Sequence, residues 1–376
     1  MKPHPRSTFA ALCISAIAAA SFLFPPRTLA QGSLTPPGAP APTMKTLDQV
    51  EARTPISGTT TISASGSYYL TGNIAVTTGS AISISADNVT LDLNGFTISS
   101  TASPASGNGV NITGSRSHVT VKNGNIRGTT TFAAGTFTPG GFLSGIINSV
   151  ITSTNFHVSE VKVSGVANSG IDFLLATSDP RNVVEHCSVS VCSTVGIRAG
   201  RVRFCDVDTA GTDAILADSA AYCFGQSVGT TVNDDGIVAF ASADNCVGIA
   251  IAGRGLNASD AASNCSGTST SNVGLSARVA QNCVGSSTSN VGLSVVESAT
   301  NCSGTSSSSI GLSGNLATNS TGTSTTGSFG LQVPGAASFC RGRRDGGVAI
   351  SATIAIGCTV TGSGTITSAN KFLGTP

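Results

Sequence analysis

Residues 262–312 read ASNCSGTSTSNVGLSARVAQNCVGSSTSNVGLSVVESATNCSGTSSSSIGL, and their internal repetition decides the fold. A cysteine returns at 265, 283 and 302, and about ten residues after each a glycine precedes a leucine, at Gly274-Leu275, Gly292-Leu293 and Gly311-Leu312. The register extends both ways along the chain. Cysteines fall at Cys187, Cys205, Cys223, Cys246, Cys265, Cys283, Cys302, Cys340 and Cys358, at intervals of 18, 18, 23, 19, 18, 19, 38 and 18. The interval of 38 holds Ser320, in ATNSTG where a neighbouring repeat reads ATNCSG, and divides into 18 and 20. The Gly/Ala-Ile/Leu pair keeps pace, from Gly196-Ile197 and Ala214-Ile215 to Gly330-Leu331 and Ala349-Ile350.

A unit this short cannot bury a core alone, so its apolar positions must be covered by copies stacked above and below. Each unit holds two or three strand-length pieces divided by Gly, Ser and Asn. Stacked coils lie about 4.8 Å apart, and parallel crossovers are overwhelmingly right-handed. The expectation is an all-β chain: a single-stranded right-handed parallel β-helix, or β-solenoid. Left-handed hexapeptide helices share the period but require an apolar residue at every sixth position without long insertions, which this sequence lacks.

Upstream the repeat lengthens. In AISISADNVTLDLNGFTI (81–98), Ile82, Ile84, Val89, Leu91, Leu93, Phe96 and Ile98 mark short alternating strands, with Asn94-Gly95 a turn between two of them. HVTVKNGNIRG (118–128) repeats the theme, with Val119 thirty residues after Val89. Longer coils are therefore expected over 56–186, with loops at 100–109 and 128–143, and cysteine-ladder coils over 187–376. Before them, Lys2, Arg6, the apolar run Phe9 to Phe24 and Thr28-Leu29-Ala30 have the form of a signal peptide over 1–30. Residues 31–43 are a Pro-rich linker. Met44, Leu47 and Val50 share one face of a short helix over 44–55, expected to cap the first coil.

Composition narrows the function classes. The chain has 45 Gly, no Trp and only 10% charged residues, yet 40% hydrophobic residues supply a core. A net charge of +1, with no basic stretch interleaved with aromatics, argues against nucleic acid. No apolar run after the leader reaches the roughly eighteen residues of a membrane helix. A secreted, periplasmic or extracellular location is expected; the oligomeric state is open.

The segments SGSYYLTGNIAV, ADNVTLDLNGFTI, VTVKNGNIRG and ATNCSGTSSSSIGL, in that order, resemble secreted right-handed β-helix repeat proteins of the pectin-lyase-like superfamily. The resemblance covers roughly 43–376. It implies the fold, and it implies an association with polysaccharide; the superfamily hosts lyases, hydrolases, adhesins and scaffolds alike.

Six features bear on chemistry. The cysteine ladder is structural in either of two forms, a column of buried thiols or a set of disulfides, with Cys192 out of register. No Cys-x-x-Cys or Cys/His cluster points to a metal. Asp213, Asp235 and Arg254 precede the Gly/Ala-Ile/Leu pair in successive coils and should form a column, with Asp234 beside it. Resemblance to polygalacturonases, which pair N-T-D and D-D motifs, would make Asp213, Asp234 and Asp235 the acid and base. The Gly-His-Gly and Arg-Ile-Lys motifs of that family are missing, and Gly253-Arg254-Gly255 stands at the comparable point. Asp beside Gly is also ordinary turn chemistry. Arg198, Arg201, Arg203, Asp206 and Asp208 crowd two coils, as an acidic-sugar patch or as an ion-pair network. Calcium enters only if the chain is a lyase; no other cofactor is expected. Glu185-His186 is an isolated pair. Thr268 and Thr270, Ser286 and Thr288, Thr305 and Ser307, Thr323 and Thr325 form a hydroxyl array suited to ice, sugar or a protein surface. Phe132, Phe137 and Phe142 mark the 128–143 loop, and Tyr68, Tyr69 and Tyr222 are the only tyrosines. The reading that follows is an extracellular scaffold or interaction module with a glycan ligand; the rival is a polysaccharide lyase or glycoside hydrolase.

Overall fold

A computed structural model describes residues 53–150, 152–173 and 179–372. The expected signal peptide and linker lie outside these residues, as does the expected helix up to residue 52. Thr54 and Pro55, the last positions of that helix, belong to the first strand, Thr54–Ile56, which pairs in parallel with Tyr68–Leu70 and so buries Ile56.

The described chain is all-β. Thirty-four strands form one continuous sheet wound into a β-solenoid of about sixteen turns, every pairing within it parallel. The exception is a separate antiparallel hairpin, Thr131–Ala133 with Thr136–Thr138, inside the expected 128–143 loop. It brings Phe132 and Phe137 to 4.6 Å between ring centres, while Phe142 enters the solenoid core. Among the described residues no helix is long and apolar enough to cross a membrane.

Each coil has three faces. In the coil opened by Cys265, face A is Ser266–Ser269; Leu275–Gln281 then supplies face B and, after a break in register beyond Ala277, face C. Asn282, at φ 54°, returns the chain to Cys283. The residue before the ladder cysteine is left-handed in coil after coil: Asn245, Asn264 and Asn301 take φ of 51°, 53° and 53°. Asn tolerates that region because its short amide bonds locally. Here the amides also bond between coils, Asn282 Nδ2 to Asn264 Oδ1 at 3.1 Å and Asn301 Nδ2 to Asn282 Oδ1 at 3.3 Å.

The core thins along the axis. Its early coils are filled by Ile82, Ile84, Leu91, Leu93 and Ile98; a late coil holds Leu275, Ala277, Ala280 and Cys283. Glycine makes the narrow coil possible. A Cβ on Gly267 would sit 2.2 Å from the Gly274 carbonyl oxygen, and one on Gly274 would sit 2.4 Å from the Ser286 nitrogen.

Two polar ladders run through this core. The ladder cysteines are buried and free, and each sulfur donates to a carbonyl within its coil and, except at Cys246 and Cys265, also to one in the preceding coil. Cys302 Sγ reaches Thr300 O at 3.2 Å and Ala280 O, one coil back, at 3.4 Å. Ser320 makes the same pair of bonds, to Thr318 O at 2.8 Å and Ala299 O at 3.4 Å. The second ladder is Ser269, Ser287, Ser306 and Ser324, all buried. Ser287 Oγ donates to Asn272 O of the preceding coil at 2.6 Å and accepts from Asn290 N at 2.9 Å, satisfying a turn on each side.

Candidate functional site

Face A presents two outward columns whose chemistry changes in blocks. In register, the first runs Thr97, Asn125, Lys162, Ser188, Asp206, Phe224 and Val247. The second runs Ser99, Arg127, Ser164, Ser190 and Asp208. Strand alternation puts these side chains outward because Ile98, Ile126, Val163, Val189 and Val207 point into the core between them.

Three confluent depressions follow the early part of this face. One, of about 580 Å³, is lined by Ser99, Thr101, Arg127, Thr129, Ser164 and Val191. The next, about 450 Å³, shares Arg127 and Ser164 with it and adds Asn125, Lys162, Ser188 and Ser190. A third, about 360 Å³, shares Lys162 and Ser188 and reaches Glu160, His186, Phe204 and Asp206. Arg127 and Lys162 are exposed and form no ion pair among the described residues. The groove is thus walled by hydroxyls and amides around two cations without ion pairs, with the carboxylates of Glu160 and Asp206 at its far end.

The groove ends at a stack of rings. His186 lies parallel to Phe204 at 4.8 Å between ring centres, and Phe204 to Tyr222 at 4.9 Å. All three are left-handed, at φ 52°, 50° and 55°, a costly region for bulky residues, and stacking at the coil spacing offsets that cost. Phe204 and Tyr222 are about half exposed, so the stack presents a row of ring edges about 10 Å long on the corner.

The expected acidic column forms, with its carboxylates bound to backbone. Asp213 Oδ1 accepts from Asp235 N at 2.9 Å, and Asp235 Oδ1 accepts from Arg254 N at 2.6 Å. The Arg254 guanidinium closes on Asp235 Oδ2, Nε at 3.1 Å and a terminal nitrogen at 2.9 Å. Asp234 Oδ2 accepts from Thr231 N at 2.6 Å. Each carboxylate caps a turn amide. Burial pushes Asp213 up to about 6, and burial also raises Asp235 against the opposing pull of Arg254. None of the three lines the groove.

The structure does not gather the charged patch. Arg198 is on face B, 3.6 Å from Asp172; Arg201 and Arg203 are on face C; Asp206 and Asp208 are on face A; Arg254 is held by Asp235. Asp172 is buried, lifted by desolvation against the pull of Arg198 and a 2.9 Å bond from Ser169. Glu185 faces His157 at 2.9 Å. Cys192 is free and buried, its thiol pushed up to about 12 by burial. The hydroxyl array stacks on face A: Thr268, Ser286, Thr305 and Thr323 are register partners. Among the described residues no cluster of His, Cys, Asp and Glu is built to hold a metal ion.

Arg127, Lys162 and Phe204 escaped sequence reasoning. The ring stack had a signal: His186, Phe204 and Tyr222 each stand immediately before a ladder cysteine. The cations had none, because Arg127 and Lys162 lie in coils before the strict repeat begins. Comparison with protein-family models, with curated proteins and with solved structures finds no match to this chain.

Proposed function

We propose that this chain is an exported binding module, a right-handed β-helix of the pectin-lyase-like kind, that holds an acidic polysaccharide along the first half of face A. The observation that carries the reading is the groove itself: free cations at Arg127 and Lys162, hydroxyl walls, and the exposed ring stack at its end. Cations take the carboxylates of the glycan, hydroxyls and amides take its ring oxygens, and the exposed ring edges of Phe204 and Tyr222 give the groove an apolar end wall. The leader-like sequence of 1–30 supports an exterior location. Asp213 and Asp235 support binding over turnover, since both are spent on backbone amides away from the groove.

The test is a panel of acidic glycans (polygalacturonate, alginate) and a neutral glucan, each followed for binding, for new reducing ends and for the ultraviolet absorbance of unsaturated uronates, with and without calcium. Binding of acidic glycans without turnover is expected. Turnover abolished by Asp213→Asn or Asp235→Asn would replace this reading with the enzyme one.

A further inference from the structure

Two coils of face A carry opposite charges at the same positions. Phe204-Cys205-Asp206-Val207-Asp208 and Phe339-Cys340-Arg341-Gly342-Arg343 align residue for residue on the ladder cysteine. In both, the phenylalanine is left-handed and exposed, at φ 50° and 54°, and the two charged residues are the exposed outward positions of the face A strand. Among the described residues none of Asp206, Asp208, Arg341 and Arg343 has an ion pair.

Between them the outward columns of face A hold no charge. They pass through Phe224, Val247 and Ile249, then the hydroxyl rows of Thr268, Ser286, Thr305 and Thr323. Seven coil steps separate Cys205 from Cys340, roughly 34 Å at the strand spacing.

We propose that this stretch of face A is a self-association surface that pairs two copies of the chain face to face, in antiparallel order. A two-fold axis along the strand direction reverses the coil order and preserves each column. It lays Asp206 and Asp208 of one copy on Arg341 and Arg343 of the other, and does so twice, as an isologous interface requires. The axis falls at the middle of the span, between the coils of Thr268 and Ser286. The alternative axis, along the solenoid, sets each coil on itself and brings like charges together. At roughly 38 Å by 17 Å the stretch covers about 650 Å² per copy, near the lower end of a stable interface. Small hydroxyls and Val247 and Ile249 let two flat sheets approach to the usual packing distance of about 10 Å. The surface begins at the coil where the proposed glycan groove ends, and it does not depend on that reading.

Sedimentation velocity of the purified chain over a range of concentrations tests it. A dimer is expected, weakening at least tenfold in high salt. Asp206→Arg with Asp208→Arg, and separately Arg341→Asp with Arg343→Asp, should each sediment as monomers. Mixing these two variants should restore the dimer, since each then meets its opposite. A monomeric wild type, variants that dimerise as the wild type does, or a mixture that stays monomeric would each overturn the proposal. Circular dichroism of the variants checks their fold, and acidic-glycan binding through Arg127 and Lys162 should be unchanged in Arg341→Asp with Arg343→Asp, whose substitutions lie outside the groove, which separates failure here from failure of the groove.

Discussion

At the residue scale, the late coils work because very small groups make specific bonds in a narrow space. Gly274 shows the steric side: its missing Cβ leaves room for the backbone of Ser286. Gly274→Ala should lower unfolding stability by about 3 kcal/mol, the upper end of overpacking costs, measured by denaturant titration. Cys302 shows the polar side. Its thiol bonds two carbonyls, and one coil on the Ser320 hydroxyl bonds the equivalent pair, so Cys302→Ser should cost less than half as much as Cys302→Ala, for which about 1–2 kcal/mol is expected. Two thiols in the middle of the ladder are also shielded. Cys265 and Cys283 are pushed to about 12 and about 11, first by bonding to the neighbouring thiol and then by burial. They should ignore a thiol reagent until the chain unfolds. Asp213 differs in sign from a salt-bridged acid. Its folded value, about 6, lies above the ordinary 3.8, so the folded state binds the extra proton and stability falls as pH rises from about 4 to about 6. Asp213→Asn keeps the acceptor for Asp235 N. It should match the wild type below pH 4 and exceed it at pH 7 by roughly 1–2 kcal/mol, a figure discounted for partial exposure; a thermal-melt series across pH decides it.

At the scale of the element, the unit is the coil, and it was legible wherever composition repeated. Cys, Gly-Leu and the alternating Val and Ile positions fixed the period because each occupies a site that stacking makes identical from coil to coil. The buried serines Ser287 and Ser306 were not separable from their exposed neighbours Thr288 and Ser307 by composition, since inward and outward hydroxyls look alike in a Ser/Thr-rich strand. The hairpin at 131–138 was hidden in a Gly- and Thr-rich loop for the same reason. Modularity has a direct consequence. Deleting Ser266 to Cys283, one whole coil, preserves every inward position and should leave a folded, cooperatively melting β protein. Deleting 266–274 alone removes one face of three and should abolish the fold by circular dichroism.

At the scale of the whole molecule, function depends on which side chains the winding brings together, and sequence neighbourhood is a poor guide to that. Arg198, Arg203 and Asp208 lie within eleven residues yet stand on three faces. Arg127, Lys162 and Phe204 are far apart in sequence yet line one groove. Asp213 and Asp235 were correctly aligned by the repeat, and their bonds to Asp235 N and Arg254 N show a ladder of turn caps. The most direct measurement is therefore calorimetric titration of the purified chain with a defined oligogalacturonate, for wild type and for Arg127→Ala with Lys162→Ala, at low and moderate salt. The double variant should bind at least tenfold more weakly and lose most of the salt dependence. Equal affinity in the two proteins would mean that the groove on face A is not where an acidic glycan is held.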